Sequence, residues 1–113
     1  MSISFGGYNY NSLTFYGNTK IDAGYPVSIY KSYTVIKATD GSAFHGVVVS
    51  SDEKYASVQV NGVVTMPYSG TAPSTGYIGL VSNGAGGVKV SSAGREYLVI
   101  GTDDTTKTVT FLM

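Results

Sequence analysis

Apolar and polar residues alternate with a period of two along most of this chain, in short runs broken by glycine, proline, serine and aspartate, the pattern of half-buried strands joined by turns. The run at residues 44–68 is the most informative. Val47, Val48 and Val49 are β-branched and suit a pleated surface. Small and charged residues at 50–54 then read as a turn. Beyond it Ala56, Val58 and Val60 alternate with Tyr55, Ser57 and Gln59, so one face enters a core while the other meets water or a partner. Asn61-Gly62 admits two readings, a hairpin turn or a bulge in a strand that continues through residues 63–66. Pro67 has no N–H to give to a ladder and is expected to end regular pairing.

The remaining elements follow the same logic. Ala23-Gly24-Tyr25-Pro26 marks a turn, Val27 and Ile29 belong to one strand, and Tyr33, Val35 and Ile36 to another. Asp40-Gly41-Ser42 turns the chain into the central stretch. Residues 69–76 form a loop, Tyr77, Ile78, Leu80 and Val81 a strand, and SNGAGG at 82–87 a turn into Val88 and Val90. A loop at 91–94 leads to a strand at 96–100, and a turn at 101–106 to the last strand, where Val109, Phe111 and Met113 share one face. No amphipathic helical window lasts three turns. The predicted class is all-β, a small single-domain β-barrel or β-sandwich. GVVVSS and GVKVSS echo one another, but the pattern reveals no exact repeat.

Residues 1–19 stand apart as an extended N-terminal arm ahead of a compact β-domain at 20–113. The arm carries no charge before Lys20 and sets Phe5, Tyr8, Tyr10, Phe15 and Tyr16 among glycine, asparagine and serine. Such a segment lacks the apolar surface to offset about 1–2 kcal/mol of backbone entropy per residue by itself. It either packs on its own domain as an edge strand or is ordered by a partner, where aromatic rings supply contact area at low rotamer cost.

Composition narrows the function classes. The 113 residues include 15 glycines, only 12% are charged, and the formal net charge is zero, so no field gathers nucleic acid or an anionic membrane. There is no cysteine, which excludes disulfides and thiolate metal sites. Neither a signal peptide nor a membrane span is apparent, which implies synthesis in a cytosol. His45, the sole histidine, would have to serve any Ser-His-acid arrangement, and no GxSxG surrounds a serine. Asp103-Asp104 has the composition of a cation loop without EF-hand spacing, and reads instead as a turn whose acids bond their own backbone. NGAGG has no lysine after it and reads as a turn. The expectation is a protein that is not an enzyme and uses neither cofactor nor metal. Tyr25, Tyr30, Tyr33, Tyr55, Tyr68, Tyr77 and Tyr97 exceed what a core of this size demands, leaving several for a contact with another subunit or a carbohydrate.

From Gly24 to Met113 the order of features resembles the capsid cement, or head decoration, proteins of tailed bacteriophages. The resemblance rests on GYPV, TVIKATDG, AFHGVVV, VQVNGVVTMPY, GTAPSTGYIGLV and VKVSSAGREYLVIGTDDTTKTVTFLM. It implies a structural protein that attaches to the outer surface of an assembled head in the virion, commonly as a trimer. The major capsid protein would be its partner, with neither nucleic acid nor membrane bound. It carries over no catalytic residue. The arm matches, in position and lack of charge, segments that such proteins order by strand addition. The alternatives are a carbohydrate- or receptor-binding β-domain and a structural element of a phage tail or neck.

Overall fold

The alternating runs become ten strands: β1 (Ser12–Gly17), β2 (Pro26–Lys31), β3 (Thr34–Lys37), β4 (Gly46–Ser51), β5 (Tyr55–Gln59), β6 (Val63–Ser69), β7 (Gly76–Ser82), β8 (Val88–Val90), β9 (Arg95–Asp103) and β10 (Thr108–Leu112). The computed structural model describes residues 12–17 and 19–113, and no helix occurs among them. The fold is all-β, as the alternation predicts.

The strands close into two barrels, β1-β3-β2-β4-β5 and β10-β6-β8-β7-β9. The barrels share one topology. In the first, β1 pairs parallel with β3 and antiparallel with β5, and β2 lies antiparallel to β3 and β4. In the second, β6 pairs parallel with β8 and antiparallel with β10, and β7 lies antiparallel to β8 and β9. Closure leaves neither barrel with a free edge. Buried residues recur at a constant sequence separation: Val27 with Leu80, Val35 with Val88, Ala56 with Val109, and Val58 with Phe111. Turn chemistry recurs too. Asp52 and Asp103 each accept backbone N–H bonds from the two residues that follow one position on. The chain is therefore duplicated in architecture. The GVVVSS and GVKVSS echo does not mark this duplication, since its copies fall on β4 and β8, which are not counterparts.

Each barrel has its own core, joined unequally. Ile21, Val27, Val35, Val48, Ala56 and Val58 fill the first. The second gathers Val64, Met66, Tyr68, Leu80, Val88, Tyr97, Val99, Val109 and Phe111, and also takes Ala38, Phe44 and Val47 from the first half. Phe44 is the plug. Its ring stacks on Tyr97 at 5.1 Å and meets Phe111 edge-on at 6.2 Å, and the Tyr97 hydroxyl donates to the Phe44 carbonyl at 3.2 Å. Buried Ser82 fastens the same loop: its hydroxyl donates to the Ala38 carbonyl, and its backbone exchanges bonds with Gly41 and Ser42. These bonds satisfy polar groups that burial would otherwise penalise.

Two local expectations are corrected. Asn61-Gly62 is neither a hairpin turn nor a bulge, because β5 and β6 belong to different barrels. It is the crossover between them, with Gly62 at φ = +96° and its carbonyl accepting from the Met113 N–H. Pro67 does not end pairing but lies within β6, opposite Thr108. Since the next residue, Tyr68, directs its N–H toward Lys107 on the β10 side, the proline nitrogen faces the other way. On that side the pairing with β8 begins only at Tyr68, so no ladder bond is lost.

Candidate functional site

Three tyrosines from different strand ends converge on the first barrel. Tyr16 is opposite Tyr55 in the β1–β5 register, and their rings lie 5.7 Å apart at 34°. Tyr33, in the two-residue turn between β2 and β3, joins them because its carbonyl accepts the Tyr16 N–H at 2.8 Å. With Thr14 and Phe15 they line a hollow of about 400 Å³. A second hollow, lined by Gly17, Lys31, Thr34 and Lys54, shares Tyr16 and Tyr55 as its wall. The tyrosines remain open to solvent, with Tyr16, Tyr33 and Tyr55 at 57%, 76% and 49% exposure.

The backbone holds this surface in place. The Asp52 carboxylate accepts the N–H groups of Lys54 at 2.8 Å and Tyr55 at 2.9 Å, which fixes the hairpin tip that presents Tyr55. Those two bonds, the Lys54 one foremost, hold the Asp52 carboxyl below the ordinary carboxylate range. Gly17 donates to the Lys54 carbonyl and ties β1 to the same tip. Tyr33 sits at φ = +61°, the left-handed region that disfavours a bulky side chain. The strain is carried by a side chain that gains little from packing, because the ring is exposed.

The aromatic residues of the N-terminal segment divide here. Phe5, Tyr8 and Tyr10 lie outside the described residues. Phe15 and Tyr16 belong to β1, which is paired with β5 and β3 of its own barrel. Phe15 packs half-buried on the first core, and Tyr16 faces outward into the cluster. Of the other tyrosines, Tyr68 and Tyr97 are core residues, while Tyr30 and Tyr77 are exposed. Burial, and then its bond to Asp104 at 3.1 Å, raise the Tyr68 phenol above its ordinary value. The union of Tyr16, Tyr33 and Tyr55 is not visible along the chain. Its one signal is Tyr55 on the outward phase of an alternating strand.

The groups considered for chemistry are engaged elsewhere. The His45 Nδ1 accepts the Ile29 N–H at 2.9 Å, which puts the ring proton on Nε2 and uses the imidazole to bridge β2 and the start of β4. Gly46 beside it is required, since a Cβ there would overlap Val58 Cγ1. Asp103 caps its own turn, and Asp104 accepts the Tyr68 hydroxyl. Asn83 closes the NGAGG turn by accepting from Ala85 and Gly87. Among the described residues no three His, Cys, Asp or Glu side chains gather as a cation site. Compared with known families and with curated proteins, the chain matches no family model and no curated sequence.

Proposed function

We propose that this protein is a structural decoration protein, with no catalytic role, that binds the outer surface of an assembled phage head through the Tyr16–Tyr33–Tyr55 face. The observation that carries this reading is the exposed, backbone-anchored tyrosine cluster on a barrel whose first strand continues directly from the chargeless aromatic residues 1–11. Aromatic rings of this kind give contact area at small rotamer cost. The resemblance of residues 24–113 to head decoration proteins supplies the partner, the major capsid protein, and the expectation of a homotrimer on the virion. Several modest contacts made together would cement neighbouring shell subunits through effective concentration.

The test is co-sedimentation with purified undecorated heads, comparing the whole chain with the triple variant Tyr16→Ser, Tyr33→Ser, Tyr55→Ser. A folded variant that loses at least tenfold in head binding supports the reading. Undiminished binding removes the tyrosine face from it. The hollow between the rings also favours a second reading, a glycan site in which a sugar ring stacks on tyrosine. A glycan-array signal abolished by Tyr55→Ser alone, with head binding unchanged, would select that alternative.

A further inference from the structure

The second barrel is an internal control for the strand that closes the first. β1 and β6 hold the same place, each parallel to the third strand of its barrel and antiparallel to the fifth. On β6, Val64 and Met66 lie opposite Phe111 and Val109 and are 7% and 1% exposed. Their counterparts on β1, Leu13 and Phe15, lie opposite Val58 and Ala56. Leu13 is 54% exposed and Phe15 only half-buried. β1 therefore holds its slot mainly through main-chain pairing, with five registered positions along β5 and bonds from Tyr16 and Gly17 to Tyr33 and Lys54.

The chain is fixed again immediately afterwards. Ile21 is 2% exposed, and its N–H and C=O both bond the Ser51 hydroxyl at 2.7 Å. A weakly buried strand thus precedes a firm anchor, and the join between them falls between Gly17 and Ile21. The slot along β5 is matched in register and in its inward positions by the β1 of every other copy. Exchanging one for the other trades identical contacts, and in symmetric assemblies this is a low-cost route to association.

We infer that β1 is exchangeable, so that the β1 of one copy closes the first barrel of a second copy and links the two. The inference stands apart from head binding, because it concerns the free protein and needs no shell.

Cysteine pairing tests it in a chain that has no cysteine of its own. Ser12 and Gln59 are register partners, as are Thr14 and Ser57. An untagged Ser12→Cys copy is mixed under native, oxidising conditions with a tagged Gln59→Cys copy, where only exchange brings the two positions into register. Thr14→Cys with Ser57→Cys is the second registered pair. Ser12→Cys with Tyr77→Cys, on the exposed face of β7, measures random collision. Both cysteines placed in one chain check that each registered pair closes within a correctly folded barrel. The expected result is a disulfide between tagged and untagged copies forming at least tenfold faster at the registered pairs than at the control. Rates equal to the control at both pairs overturn the proposal, whatever the outcome with heads.

Discussion

Phe44→Ala should be the most damaging single truncation outside the second barrel's own strands. The ring is 2% exposed, with two aromatic neighbours at 5.1 and 6.2 Å. A buried aromatic removes about 150–250 Å² from water, which at about 25 cal/mol/Å² gives an upper figure of about 4–6 kcal/mol. Core Phe→Ala changes of this kind cost about 3–5 kcal/mol, a large share of the total stability of about 5–15 kcal/mol typical of single domains. For a domain of this size, at about 4 °C per kcal/mol, that lowers Tm by roughly 12–20 °C. Calorimetry and urea unfolding read the loss directly. Amide exchange reads where it falls: β6–β10 should lose protection before β2–β5, because the first core lacks Phe44. Phe44→Leu, which keeps most of the volume, should recover much of the difference. A loss below about 1 kcal/mol would be that of an ordinary surface change, and would refute the assignment of Phe44 as the plug of the second barrel.

Tyr33→Asn should leave stability unchanged or raise it by up to about 1 kcal/mol, since asparagine tolerates the left-handed conformation and little packing is lost. Head binding should weaken in the same variant, and a net destabilisation in urea titration would contradict the strain described at φ = +61°. Tyr97→Phe tests the alkaline limit. Burial raises the Tyr97 phenol above its ordinary value near 10, with the Arg95 charge opposing. The unfolded chain therefore ionises first. The stability held below that pH drains away as pH climbs from about 10 toward the folded value. Tyr97→Phe should lose about 1 kcal/mol at neutral pH with the bond to the Phe44 carbonyl, and should show a shallower decline above pH 10 in thermal melts. An unchanged alkaline slope would count against it.

The strands were legible because period-two alternation is a local property, and almost every alternating run folded as a strand. The hairpin signal at Asn61-Gly62 describes the turn and not the destination of the next strand, which lies in the other barrel. Pro67 misled for a related reason: which side of a strand a nitrogen faces depends on its neighbours, and here that side has no bond to lose. The duplication is not legible along the chain because its counterparts share burial and register rather than identity. Val58 and Phe111, or Val27 and Leu80, do the same work with different shapes. The tyrosine face was half legible. Tyr55 stood on an outward phase, yet its meeting with Tyr16 depends on barrel closure between strands far apart in sequence.

The loop that carries Phe44 also imposes an order on biosynthesis. As the chain leaves the ribosome, the strands through Gln59 are available early and can close the first barrel. Phe44 meanwhile waits uncovered until Tyr97 and then Phe111 arrive. Until β9 and β10 have been made, the two aromatic partners that cover that ring are missing, which leaves it open to chaperones and proteases.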